Sequence, residues 1–307
     1  MNSLPQRILG RTGIKVSAIG FGGAAIGIDN YLTAESRRSD LLRERSHEAI
    51  LAALDEGITY FDTAPGYGTG LSESIIGEAT KGRRGGIAIA TKVGVKPGQS
   101  PADWTRSLEH SCERLGVDCL DLVQFHGNSW TDELAEWVLA EGVLDWLENA
   151  RDTGLARCIG ITAEVPSSGL DRLISTDRFD VLQMAYSVIY QGACDYQRVP
   201  FGPIPAAKAL GMGVTTMRTA TSGVLQKLLK CEFPELDDDR ITRLAIRFSL
   251  STAEVDCPLI GMRTAAEVRA NAALARDPAA LIDLHKIHDF FDGRPRVPPP
   301  AEALARL

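Results

Sequence analysis

The chain has 307 residues, 44% hydrophobic and 24% charged, a balance that suits a globular protein with a sizeable core. A net charge of −7 and a pI near 5.4 give no reason to expect a nucleic-acid or membrane partner. No apolar run approaches the roughly 18 residues needed to span a bilayer, and "MNSLPQR" lacks the charged start and apolar centre of a signal peptide.

In chain order, "RILGRTGIKVS" (7–17) carries a Thr-Gly turn between two short strand-like runs and predicts a hairpin. Eight β-branched runs follow: "VSAIGFG" (16–22), "ITYFDTA" (58–64), "IAIATKVG" (87–94), "CLDLVQFHG" (119–127), "ARCIGIT" (156–162), "FDVLQMAYS" (179–187), "GVTTMRT" (213–219) and "CPLIGMR" (257–263). Helical patterns lie between them. "SHEAILAALDEG" (46–57) is expected to start at a Ser46 cap and stop at Gly57, and "SESIIGEAT" (72–80) opens with a serine and acids that suit the positive end of a helix. The stretches 102–116, 142–154, 237–251 and 264–275 repeat the theme. Eight strands alternating with helices, without a long linker or composition break, predict one domain over 1–307: an α/β (β/α)8 TIM barrel with an N-terminal β-hairpin. A doubly wound open sheet would want a phosphate loop after the first strand, and "GFGGAAIG" lacks the G-x-G-x-x-G order.

Six cysteines are scattered with no C-x-x-C and read as packed, reduced thiols, which fits a cytoplasmic protein. The five histidines form no H-E-x-x-H, and His285 with His288 reads as a surface pair on a helix, so no metal is expected.

In such a barrel the chemistry is at the C-terminal ends of the strands. Asp62 ends the second run, Lys92 the third and His126 the fourth, at spacings of 30 and 34 residues. Each has a bland alternative: a helix cap, a rim charge and a core histidine, while Tyr67, on the loop after Asp62, could simply pack. Their convergence at one rim is the stronger signal. A phenol has a pKa near ~10 and is a poor acid at neutral pH unless its anion is favoured. An ammonium beside it favours the anion, and a carboxylate keeps that ammonium charged and aimed. With His126 orienting a polar oxygen, the set suits protonating a carbonyl as hydride arrives.

"DTAPGYG" with "SESIIGEA", "IATKVG" and "SLEHSCERLGVDCLDLVQFHG" resemble the motifs of the aldo-keto reductases, over about residues 7–275. The N-terminal stretch is similar to the branch that includes sugar dehydrogenases and potassium-channel β-subunits. The resemblance implies a (β/α)8 barrel that uses NAD(P)H without metal or flavin and acts on a small carbonyl or alcohol. Tyr67 would be the general acid/base, Lys92 and Asp62 its tuners, and His126 the carbonyl-orienting residue. The nicotinamide would meet Thr162 and Gln183, with Ala163 where an asparagine is usual and Met217 where an aromatic is usual. Gly22, Gly23, Arg218, Gly261 and Asn271 complete the implied cofactor set. For the dinucleotide's second phosphate, Arg263 competes with Glu267; a carboxylate repels phosphate but accepts from ribose hydroxyls, which leans towards NAD or dual use. Tyr31, Trp130, Tyr196 and Phe201 are plausible substrate-pocket walls, and the charged loops around them hint at a sugar or polyol. Two other classes stay open: a regulatory subunit that keeps the cofactor as a sensor, and a Schiff-base barrel using Lys92.

Overall fold

The computed structural model describes residues 3–28, 40–194, 202–284 and 286. The first residues form the expected hairpin, β1 (Gln6–Ile8) against β2 (Lys15–Ser17), antiparallel. All eight runs become strands: β3 (Gly20–Gly22), β4 (Tyr60–Asp62), β5 (Ala88–Val93), β6 (Leu120–Phe125), β7 (Ala156–Ala163), β8 (Val181–Ala185), β9 (Gly213–Met217) and β10 (Cys257–Gly261). They pair in parallel in chain order, and β10 closes onto β3.

The helices are α1 (Ala24–Gly27), α2 (Asp40–Asp55), α3 (Leu71–Thr80), α4 (Pro101–Leu115), α5 (Asp132–Ala140), α6 (Val143–Asp152), α7 (Ser168–Ile174), α8 (Pro203–Ala209), α9 (Val224–Glu232), α10 (Asp238–Leu250) and α11 (Ala265–Arg276). Cap chemistry explains several boundaries. Ser100 and Asp103 form a reciprocal capping box at α4, whose end is turned off by Gly116 in the left-handed region. Two expectations need correction. Ser46 does not begin α2 but sits inside it, its hydroxyl bonded back to Leu42 O at 2.7 Å. Ser72 does not cap α3, which starts after Gly70; its hydroxyl turns inward. The sequence reading also passed over α5, α7, α8 and α9, which at seven to nine residues carry too few turns for a periodic signal.

Alternation along the strands sorts the side chains into two cores. Outward residues pack under the helices as a large apolar layer. The inward rows of β4, β5 and β6 are apolar at the bottom and polar at the top: Tyr60 then Asp62, Ala88 and Ala90 then Lys92, Leu122 then Gln124. The hairpin stops the bottom of this interior with Leu9 and Val16. Gly10 lies against β9 so closely that a Cβ would sit 2.1 Å from Gly213 N, and its φ of +46° also favours glycine. At the same end Asp121, Asp180 and Asp256 each accept the backbone N–H of a neighbouring strand, from Ile89 (3.0 Å), Ile159 (3.0 Å) and Val214 (2.8 Å). These bonds pin strand register from below and so fix which residues reach the upper rim.

Candidate active site at the upper rim

Asp62, Tyr67, Lys92 and His126 all line one cavity of about 250 Å³ at the C-terminal ends of the strands. Lys92 Nζ donates to Asp62 Oδ1 (2.7 Å), to Asp62 Oδ2 (2.8 Å) and to the carbonyl of Thr63 (2.8 Å). Both partners are buried, Lys92 being 1% exposed and Asp62 3%. Burial alone would lower the Lys92 pKa, but the Asp62 carboxylate and the Tyr67 hydroxyl outweigh it and hold the ammonium above its ordinary value. Burial also raises Asp62, against the pull of Lys92.

Tyr67 is presented by a loop forced into shape from behind. A Cβ on Gly68 would lie 2.0 Å from Gly27 O, so the loop wedges against α1, and Gly68, Thr69 and Gly70 are all left-handed. The result puts the Tyr67 ring centroid 4.8 Å from Lys92 Nζ and 5.9 Å from the His126 ring, edge to face. His126 opens onto the cavity mouth, yet desolvation of its ring, and then Lys92, lowers its pKa from the ordinary 6.5 to about 4. It is a neutral imidazole at physiological pH.

The other sequence-derived residues divide. Gly22, Thr162, Gln183, Met217, Arg218 and Gly261 line the same cavity. Gly23 is one residue behind the wall, with its N–H on Asp62 O at 2.7 Å. Thr162 Oγ1 accepts from Gly127 N (3.0 Å) and donates to Gly127 O (3.1 Å), so its hydroxyl is bound to the loop that follows β6. Gln183 Oε1 accepts from Gln124 Nε2 at 3.0 Å, and the buried Gln183 side chain also hydrogen-bonds Asp62, drawing the Asp62 pKa down against burial. Arg218 is tied to Glu164 through Nε and Nη2, has φ +58°, and lies 5.9 Å from the Tyr190 ring centroid. Glu267 is exposed but does not stand free: it caps α11, accepting from Arg263 N (2.5 Å) and Thr264 N (3.3 Å). Arg263 Nε is buried without a partner. Asn271, on α11, is half-buried and outside the cavity lining.

Trp130, expected as a pocket wall, is a core residue: it packs on Phe125 at 6.1 Å and donates from Nε1 to Thr162 O at 2.8 Å. The apolar body of an indole goes under the rim once its single donor has an acceptor. Tyr31, Tyr196, Phe201, His285 and His288 lie outside the described residues. Sequence reasoning missed Asn128 and Glu164, both in the cavity wall. Glu164 directly follows β7, where a charge at a strand end was the available signal. Among the described residues, no group of three or more His, Cys, Asp or Glu could hold a metal ion, and no helix is long and apolar enough to cross a membrane.

The model of the aldo/keto reductase family matches residues 18–231. The chain belongs to that family. Its relatives include L-galactose dehydrogenase of Arabidopsis thaliana, 29% identical over 92% of this chain and 91% of that protein. D-threo-aldose 1-dehydrogenase of a Pseudomonas species is 27% identical over 86% and 90%. Among solved structures, an aldo/keto reductase of Klebsiella pneumoniae in complex with NADP and acetate superposes with a TM-score of 0.71 at 18% identity, covering 96% of this chain and 98% of that one. The family's barrel is thus the fold of this chain, and membership places it among oxidoreductases.

Proposed function

We propose that the protein interconverts a small aldehyde, ketone or sugar and the corresponding alcohol with a nicotinamide dinucleotide, Tyr67 giving or taking the proton. The observation that carries this reading is the grip of Lys92 Nζ on both oxygens of Asp62 beside the Tyr67 ring. An ammonium there stabilises the phenolate that proton donation leaves behind. Asp62 keeps that ammonium charged inside the barrel, and an ammonium so held is no nucleophile, which leaves the Schiff-base reading without support. A neutral His126 offers one N–H to a substrate oxygen without adding a second cation next to Lys92.

When bound, the dinucleotide supplies or accepts the hydride. The buried amide of Gln183 in the cavity wall suits a carboxamide, and Met217, Arg218 and Gly261 would line the path outward. Because the Glu267 carboxylate is committed to the helix cap, the argument for NAD(H) weakens, and the unpartnered Arg263 Nε supports NADP(H). Asn128, Glu164 and Arg218 give the cavity a polar wall, Ala24, Ala25 and Ile28 an apolar one. That wall and the sugar activities of the two relatives support a hydroxylated substrate.

The test is oxidation of NADPH and NADH, followed by absorbance, over a panel of aldehydes, ketones and sugars. Proton donation contributes about 10²–10⁴-fold, so Tyr67→Phe should lose most turnover while binding cofactor normally. Retention of more than about a tenth of wild-type kcat would rule Tyr67 out as the acid.

A further inference from the structure

Glu73 is a fully buried carboxylate that the proposed chemistry does not use. It sits in the first turn of α3, just after the Tyr67 loop. Its Oε1 accepts from Thr91 Oγ1 at 2.5 Å and its Oε2 from Arg114 Nε at 2.6 Å. Thr91 immediately precedes Lys92. Successive side chains on a strand point to opposite faces, so Lys92 enters the barrel where Thr91 turns out towards α3. Glu73 therefore ties the strand that carries Lys92 to the helix that carries the Tyr67 loop.

The neighbouring residue does the same for Asp62. Ser72 N donates to Tyr67 O at 3.2 Å, and Ser72 Oγ accepts from Thr63 Oγ1 (2.8 Å) and donates to Gly23 O (3.0 Å). Thr63 follows Asp62. Arg114, from the last turn of α4, closes the frame from outside, packed so tightly that a Cβ on Gly70 would lie 2.5 Å from Arg114 Cδ. A buried ion pair is weak support for stability, because desolvation offsets most of its attraction and an apolar pair often serves as well. Fixed direction is what an apolar pair cannot supply.

We propose that Glu73 is a positioning residue of the active site: by holding Thr91 and Arg114 it sets the separation between the Lys92 ammonium and the Tyr67 phenol. The inference rests on the reading of Tyr67 as the proton donor. Thr91→Val tests it by removing one hydrogen bond at nearly constant volume, with Thr91→Ser as the rescue and Glu73→Gln as a second route. A misplacement of about 1 Å far from the chemistry can cost about 10²-fold, so Thr91→Val and Glu73→Gln should lower kcat roughly ten- to a hundredfold. The substrate KM and the cofactor Kd, read from quenching of protein fluorescence, should stay within about twofold, and Thr91→Ser should return kcat to within about threefold of wild type. If both variants melt lower yet keep wild-type kcat, the network only stabilises the fold and the proposal is overturned. Tyr67→Phe at the wild-type rate would overturn this and the functional reading together; its loss alongside a normal Thr91→Val overturns this one alone.

Discussion

Replacing Lys92 by methionine should cost stability in a way that depends on pH. The substitution keeps the apolar stem but removes the hydrogen bonds of Nζ to both Asp62 oxygens and to Thr63 O, and its interaction with Tyr67. Asp62 is then a carboxylate with no cation in a site that is 3% exposed. It has two options. Left ionised without a counter-charge, it costs about 3–5 kcal/mol. Protonating it at pH 7, against an unfolded pKa near ~3.9, costs about 1.36 kcal/mol for each of some three pH units, or about 4 kcal/mol. The two routes agree, so the loss should be about 4 kcal/mol at pH 7, with about 1 kcal/mol more from Thr63 O.

The sign of the pH effect follows. In wild type, Lys92 is raised, so its contribution is intact below the ordinary lysine pKa and is lost only as the pH rises through the folded value. In the variant, the Asp62 pKa is raised well above the unfolded value, so the native state holds the extra proton and stability falls as the pH rises. Asp62 is raised in wild type too, so the deficit should shrink by about 1.4 kcal/mol per pH unit on acidification from pH 7 only while wild-type Asp62 stays ionised. Urea unfolding followed by tryptophan fluorescence at neutral and mildly acidic pH reads this directly. Adding Asp62→Asn to the variant should restore much of the stability and none of the turnover. A single Lys92→Met variant that unfolds with the wild-type midpoint at both pH values would refute the coupling.

Three further outcomes are expected. Arg263→Ala should raise KM for NADPH by about ten- to a hundredfold, the size of one charge-assisted contact, and leave NADH within about twofold; equal losses with both cofactors would show that Arg263 does not read the phosphate. Glu267→Ala should cost a helix cap, about 0.5–2 kcal/mol, without changing the cofactor ratio. Because the His126 pKa is depressed to about 4, its proton arrives only below that value, and kcat/KM should show no His126 limb near the ordinary 6.5. A loss of activity centred near 6.5 that His126→Asn abolishes would contradict this.

What the sequence disclosed, and what it hid, has a physical pattern. The strands were readable because β-branched runs between amphipathic stretches have few competing explanations, and the quartet because three ionisable residues ended three consecutive runs. Both signals are local. Ser46 misled because a serine hydroxyl, though favoured at a cap, can also bond back to the carbonyl four residues earlier inside a helix. Trp130 misled because a loop aromatic may face either way, and only the acceptor at Thr162 O decides. Glu267 was judged by its charge, whereas the structure uses its reach, three residues back to Thr264. Glu73 went unweighed since its partners are 18 and 41 residues away, a distance over which a single sequence carries no pairing information.

The hairpin under the barrel bears on the order in which the molecule is made. Arg7 donates to Val255 O at 2.6 Å and Leu250 O at 3.1 Å, partners 248 and 243 residues further along the chain. A ribosome delivers the hairpin more than two hundred residues before its anchors. Until then Leu9 and Val16 have no interior to enter, and their apolar faces stay open to the wrong partners. The rim residues face no such delay: Asp62 and Lys92, 30 residues apart, emerge almost together. A nascent chain halted before Val255 could thus carry all four rim residues and still be an open, sticky barrel. Chaperone demand should accordingly be set by the sealed end of this enzyme, opposite its chemistry.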